Sequence, residues 1–439
     1  MPSSFPAKQA GLDAAKPKDH NLASQSNTTQ PQVIVAGSLA VDLACDYTPI
    51  TGDSLDPALH TSNPAVITQS LGGVGHNIAT ALHYTGARVR LCTPLGSDMA
   101  GKAALADLIS RGLDVQGVRV INSEASTPQY IAVNDKSRNL VVAMADMRLL
   151  EGNNEMVDEL WLSELAQSKP KWLIVDANWS PGLIKKWIDA GRAAGAKIAF
   201  EPVSVEKSSR LFHQSWQSHL QALVTGEHSD QPWFPEQVAD VVTPNRAELE
   251  AMAQFIRKEC GWSSLLSKLE IPLVEVLQSY LSDHLAHLGV TAIELLSQTP
   301  SIITKLGSEG VLYTELLMED DSRLEDEKHR SYIVLRKQPY LLPELKSVPL
   351  PECDPRSSVS RIAGVYIRHY PVVQRVAKED IVSVNGVGDT LLGVLIAATL
   401  RFPSEPLCEL IDIAQKGSVL SLQDAAAVSP NIRGILGES

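Results

Sequence analysis

From residue 32 onward the chain repeats one unit: a short apolar run, a turn marked by glycine or proline, then a longer apolar-periodic stretch. "QVIVAGS" (32–38) reads as a buried strand ending in a Gly-Ser turn. "IATALHYTGA" reads as a helix stopped by Gly86. A strand at 88–92 and a helix from Ala100 to Arg111 follow, again closed by a glycine. The alternation resumes with "KWLIVDA" (171–177), a helix around 183–194 and the strand "AKIAFEP" (196–202). "DVVTPN" (240–245) leads into the helix "RAELEAMAQFI", then come "SIITKLG" and "GVLYTEL". Last, "DIVSVN" runs through "GVGD" into the helix "TLLGVLIAATL". Repeated βα units imply a mainly parallel sheet with helices on both faces, an α/β fold.

The period breaks in two ways. "VDLACDY" (41–47) alternates like a half-exposed strand, and "TPQYIAVNDKSRNLVVAMADM" (127–147) reads as two strands around the turn "NDKSRN". A β-only piece inside an α/β chain suggests a small sheet projecting from the body. The stretches 205–239 and 316–360 look like insertions and are expected as surface loops. Residues 1–31 are polar and Ser/Pro/Gln-rich, with no apolar h-region and no arginine. They read as a disordered tail rather than a secretory signal or presequence, with the ordered domain covering 32–439.

Composition limits the function classes. With 38 Lys+Arg against 51 Asp+Glu, the formal charge is −13 and no basic block occurs, which argues against a nucleic-acid surface. Five dispersed cysteines with no C-x2-C pair read as reduced thiols of an intracellular, cytoplasmic protein. No apolar run approaches the eighteen or so residues of a transmembrane helix.

Several segments could carry chemistry. In "VNGVGDTLLG" two glycines precede an aspartate that opens an apolar helix. The amides of Gly386, Val387 and Gly388 would then lie at a helix N-terminus suited to a phosphate. Asp389 is unfavourable company for a phosphate unless it takes a proton from an attacking hydroxyl; the plain alternative is an N-cap after a Gly turn. "LGGVGHN" (71–77) fails as a dinucleotide fingerprint, because residue 78 is Ile, but its small residues would let a ligand approach. "TPNRAELE" places Asn245 and Glu248 three apart at a helix start, fit either to order water around a metal–phosphate group or to cap the helix. "TKLGSEGVLY" taken alone is a hairpin with Gly307 and Gly310 in its turn. "GSDMAGK" (96–102) has the spacing of a P-loop but carries Ala103 where a magnesium-ligating hydroxyl is needed.

Taken in order, "GSLAVD", "GGVGHN", "LGSDMAG", "TPNRAE", "KLGSEGVLY" and "NGVGD" resemble the ribokinase-like (PfkB) carbohydrate kinases over about residues 33–432. Within that family "SNP" (62–64), "GGVGHNIA", "NDKSRNLVVAMADM", "VDANWS" and "EPVSVEK" are most similar to the pseudouridine kinases. The resemblance implies a three-layer α/β/α fold with a small β-sheet lid formed by about 41–47 and 118–146. It implies ATP-dependent phosphorylation of the 5′-hydroxyl of pseudouridine. Asp42, Asn63, Gly72, Gly73 and Asn77 would hold the sugar, Asp389 would be the general base, and Gly386–Gly388 the anion hole. Asn245 and Glu248 would organise Mg²⁺ through water, and Gly307 and Gly310 would line the ATP site. The G-x-D-x-x-G segment belongs to the sugar-binding half in that family, which leaves Lys102 a solvated helix residue. Ser383-Val384-Asn385 stand where relatives often carry Asp-Thr-Thr, whose aspartate helps hold a monovalent cation, so the resemblance leaves monovalent-cation activation open. A homodimer and a functional link to a pseudouridine-5′-phosphate glycosidase are compatible with the resemblance, with residues 1–31 as a remnant linker. The competing expectations are another sugar or nucleoside kinase of this fold and a non-catalytic partner of such a glycosidase.

Overall fold

In the computed structural model the described residues are 30–49, 55–122, 125–152, 156–212, 238–259, 273–296, 298–336, 348–349 and 362–437. Most of the expected tail, and 213–237 of the first expected insertion, lie outside them.

Strand β1 (Val33–Ala36) shows why the sheet lies in the middle. Val33 and Val35 enter one apolar cluster, Ile34 and Ala36 the other, and all four are fully buried. A strand apolar at every position has no solvent face, so both sides must be covered. The valines and isoleucine each contribute roughly 1.5–3 kcal/mol of burial. Helices α1 (Val74–Tyr84), α6 (Val387–Arg401) and α7 (Leu407–Leu422) cover one face. Helices α3 (Pro181–Ala193), α4 (Arg246–Glu259) and α5 (Asp283–Leu295) cover the other, where Trp161, Trp179 and Trp187 pack with ring centroids 5.4–5.9 Å apart. The result is the expected three-layer α/β/α fold.

The chain leaves β1 to build β4 (Val89–Gly96) on one side, followed by β5 (Val118–Ile121). It then returns to the other side of β1 with β8 (Trp172–Asp176), β9 (Lys197–Glu201), β10 (Val241–Val242) and β11 (Ser301–Lys305), all parallel. The order reverses at β1, and the crevice beyond the carboxyl ends of the strands at such a reversal is where ligands bind in open α/β sheets. Antiparallel β12 (Val311–Met318) and β15 (Ile362–Tyr370) extend the sheet, with β13 (Ile333–Arg336) and β14 (Val348–Pro349) at its edge.

A second sheet of four strands holds β3 (Ala65–Gly72), β2 (Ala40–Tyr47), β6 (Gln129–Asn134) and β7 (Leu140–Asp146), in that order. This is the expected lid with two corrections. Residues 118–121 are not part of it; they form β5 and pair with β4 in the main sheet. Residues 65–72 supply an unforeseen strand beside β2. The charged stretch after 316 is not simply a loop either, because β13 is buried throughout and its Arg336 is wholly enclosed. "DIVSVN" forms no strand: residues 381–384 are irregular after a short 3₁₀ turn at Lys378–Asp380. Among the described residues no helix is long and apolar enough to cross a membrane.

"GSDMAGK" explains itself structurally. Asp98 caps helix α2 (Met99–Ser110) by accepting from the Gly101 amide at 2.8 Å, and also accepts from the Thr127 amide at 3.0 Å and hydroxyl at 2.6 Å. A Cβ on Gly101 would lie 2.1 Å from the Gly96 carbonyl. The glycines and aspartate tie the helix to the base of lid strand β6, and Lys102 is exposed.

Candidate active site

Charged and polar groups collect where the parallel strands end. After β1, Ser38 donates through its amide (2.7 Å) and its hydroxyl (2.9 Å) to Asp176 Oδ2 at the end of β8. The Gly75 amide in the first turn of α1 donates to the same oxygen at 3.0 Å, and the Asn178 amide to Oδ1 at 2.9 Å. Asp176 is fully buried. Its four donors satisfy a carboxylate that water cannot reach, at the cost of a pKa still raised by burial. The cluster fixes the glycine turn: Gly73 adopts φ +95°, and a Cβ on Gly75 would lie 2.5 Å from the Gly37 carbonyl carbon. "GGVG" is thus a close crossing of α1 over the end of β1.

The same helix turn presents Asn77, 7% exposed, whose Nδ2 donates to Asp389 Oδ2 at 2.8 Å. Its Oδ1 is buried and lies toward the neighbouring His76 imidazole, whose pKa it helps to hold up against burial. Asp389 is itself buried in the first turn of α6. Its pKa is raised to about 7, first by burial and then by the negative charge of Glu201, against the opposing effects of Asn77 and Lys305. A buried carboxyl that titrates near neutrality is suited to proton transfer.

Gly386 caps α6 with φ +73°, and a Cβ there would lie 2.2 Å from the Ala427 carbonyl, so the position accepts only glycine. The Thr390 amide is bonded to Gly386 O at 2.8 Å. The amides ahead of it have no helical acceptor and point out of the N-terminus together with the helix dipole. The turn expected as an anion hole therefore sits at a helix N-terminus.

Asn245 and Glu248 form a reciprocal capping box at the start of α4. The Asn245 amide donates to Glu248 Oε2 at 2.8 Å, and the Glu248 amide to Asn245 Oδ1 at 2.9 Å. Glu248 is 3% exposed and its pKa is raised by burial, in spite of the nearby Lys305. Asp42, at the root of the lid, is pushed up to about 6 by desolvation. It packs so closely on Gly72 that a Cβ there would overlap its carboxylate at 1.9 Å. Asn63 is engaged in its own loop: its amide group accepts from the Ala58 amide and donates to the Ala58 and Thr61 carbonyls. Gly307 and Gly310 (φ +60° and +95°) shape the β11–β12 turn, where Glu309 pairs with Arg246 and His284. A cleft of about 410 Å³ opens beside that turn, walled by Tyr280, His284, Ser308, Glu309, His369 and Arg375. Asp389 is not among its walls.

The structure thus joins Asn77, Asp389 and the Gly386–Gly388 turn into one centre, with Glu248 linked to it electrostatically. It keeps Asn63 in a separate loop and Gly307 and Gly310 at a neighbouring cleft. Three groups were not anticipated in these roles: Asp176, Glu201 and Lys305, whose ammonium donates to Glu201 Oε1 at 2.7 Å and Oε2 at 2.9 Å. Each ends a parallel strand, the signal that could have singled them out.

The pfkB family carbohydrate kinase model matches residues 30–259, slightly more than half of the chain. A pseudouridine-metabolizing bifunctional protein of Schizosaccharomyces pombe is 25% identical over 442 residues, covering 97% of this chain and 50% of that protein. The pseudouridine kinase of Escherichia coli K12 is 29% identical over 189 residues, 43% of this chain and 56% of the relative. That of Arabidopsis thaliana is 24% identical over 372 residues, 84% of each chain. The chain therefore spans about half the length of the first two relatives. Among solved structures, the fold is similar to Arabidopsis thaliana ribokinase complexed with ribose and ATP. The TM-score is 0.58 at 12% identity, covering 94% of this chain and 100% of the ribokinase. Ribokinase of Giardia lamblia gives a TM-score of 0.57 at 13% identity, over 93% and 98% of the two chains. By its family match, its order of motifs and its fold, the chain belongs to the pfkB family of carbohydrate kinases.

Proposed function

We propose that the protein transfers the γ-phosphoryl group of ATP to the 5′-hydroxyl of pseudouridine, giving pseudouridine 5′-phosphate and ADP. The observation that carries the transfer chemistry is the pairing of a buried carboxyl, Asp389, with the free amides of the turn in which it sits. The choice of substrate is supported by the 84% shared coverage with the Arabidopsis pseudouridine kinase.

In this reading Asp389 accepts the hydroxyl proton as the oxygen attacks phosphorus and the bond to ADP breaks. Asn77 holds the carboxylate at 2.8 Å, so that one oxygen is oriented and the other is left for the hydroxyl. The amides of Gly386, Val387 and Gly388 meet the charge that develops on the phosphoryl oxygens. Asp42, Gly72 and Gly73, at the junction of lid and body, take the sugar, and the lid excludes water. The sugar role of Asn63 requires its loop to release the amide.

Mg²⁺ with ATP is the family's general requirement. The buried carboxylate of Glu248, next to Asn245, fits a water-mediated magnesium site, where the ion would neutralise phosphate charge. In this reading the nucleotide lies along the Gly307–Gly310 turn, beside which a cleft of about 410 Å³ opens. A cytoplasmic setting and a functional link to a pseudouridine-5′-phosphate glycosidase complete the reading. It is tested by incubating the purified protein with Mg-ATP and pseudouridine. Wild type should release ADP and form the 5′-phosphate, and Asp389→Ala should abolish both while keeping the circular-dichroism spectrum. Equal turnover by Asp389→Ala would remove the assigned base.

A further inference from the structure

Lys305 places its ammonium against Gly388 of the proposed transfer turn, and nothing in the reading above employs it. Its backbone is fixed at the end of β11: the amide donates to Pro244 O at 2.8 Å, and the residue bridges to Asn245. Its side chain is 16% exposed and runs along Gly388, where an added Cβ would come within 3.2 Å of Nζ, 3.3 Å of Cδ and 3.6 Å of Cε. Both carboxylate oxygens of Glu201, 3% exposed, accept from Nζ, and Thr243 donates its hydroxyl to the same carboxylate.

Two features separate this pair from a structural ion pair. A buried pair that serves only stability is a poor investment, since desolvation offsets most of the attraction. Here one ammonium also faces the fields of Glu248 and Asp389, three carboxylates in all, and these hold its pKa up against the lowering effect of burial. Moreover, an ammonium has three donors and Glu201 takes two, leaving one beside the N-terminus of α6. A fixed cation with a spare donor at a helix N-terminus is suited to charge that develops on a phosphoryl group.

We propose that Lys305, clamped by Glu201 against Gly388, is a catalytic residue whose remaining N–H contacts the migrating phosphoryl group and adds a fixed positive charge to the backbone anion hole. This rests on the reading of the Gly386–Asp389 turn as the transfer centre.

The test compares wild type, Lys305→Met and the neutral pair Lys305→Met/Glu201→Gln in the full chain. The double variant removes both members of the Glu201–Lys305 pair, so its melting temperature should lie closer to that of wild type than the melting temperature of Lys305→Met, which leaves Glu201 buried without its cation. Turnover with the best acceptor among pseudouridine, uridine, adenosine and ribose should fall about 100-fold in both variants, with the acceptor KM changed little. Recovery of kcat to within about threefold of wild type in the double variant would overturn the proposal, because Lys305 would then only neutralise Glu201. If wild type phosphorylates none of the four acceptors, the functional reading fails by itself. Lys305 is then judged by calorimetric affinities for Mg-ATP and Mg-ADP. The double variant should lose preference for ATP by about tenfold, as removal of one charge-assisted contact to the γ-phosphate implies, and an unchanged preference refutes the role.

Discussion

Replacing Asp389 by asparagine should stabilise the protein while inactivating it, and the gain should depend on pH in a defined direction. The Asp389 carboxyl is raised from an ordinary 3.8 to about 7, with burial the largest cause. Between those two values the unfolded chain has released the proton and the folded chain still holds it. The folded state binds more protons there, so stability falls as pH rises from about 3.8 to about 7, and the full penalty applies above 7. Three units at about 1.4 kcal/mol each give a ceiling near 4 kcal/mol, and the amide should recover a few kcal/mol of it. Asparagine keeps the size of the side chain and can accept from Asn77 through its own carbonyl. Urea unfolding of wild type and Asp389→Asn at pH 5, 6, 7 and 8 reads the difference directly. The advantage of the variant should grow up to pH 7 and then level off. A constant difference across that range, or a variant less stable at pH 8 than wild type, would refute the argument that a desolvated carboxylate is held in this turn.

Further predictions follow from the same geometry. If Asp389 is the base, kcat should be half-maximal near pH 7 and about tenfold below its plateau by pH 6, and a pH-rate profile flat down to pH 5 would deny it the role. Asn77→Ala removes the hydrogen bond that lowers the Asp389 pKa, so its acid limb should move to higher pH in the same assay. Gly386→Ala combines φ +73° with a 2.2 Å approach to Ala427 O; it should cost at least about 1–3 kcal/mol in denaturant melts and most of the activity. Lys102→Ala should leave turnover within about twofold, since the side chain is exposed on α2, and a collapse of kcat would revive the P-loop reading.

Much of this was legible in the sequence because some residues have one physical use. A Gly-x-Gly-Asp opening an apolar helix states both the backbone freedom and the charge of its turn, and the structure keeps Gly386 in the left-handed region that only glycine accepts easily. The alternation of apolar runs and helices fixed the layers, because strands such as β1 are apolar at every position. What stayed hidden depends on contacts between distant segments. Lys305 is an ordinary lysine until β9 and β11 are seen flanking β10, which brings it onto Glu201, 104 residues away in sequence. Strand β3 carries exposed residues at six of eight positions, so its apolar periodicity is weak and only pairing with β2 orders it. Strand β13 follows a charged stretch that masks four buried residues. Asn245 and Glu248 remain ambiguous from sequence because capping and metal organisation use the same two side chains, and in the structure they cap.

The most direct test of the central claim is a comparison of kcat/KM for pseudouridine, uridine, adenosine and ribose with Mg-ATP, the site of phosphorylation being read by phosphorus NMR. The account predicts pseudouridine as the preferred acceptor and its 5′-oxygen as the site of transfer. Preference for another acceptor, or transfer to a ring hydroxyl, would contradict it.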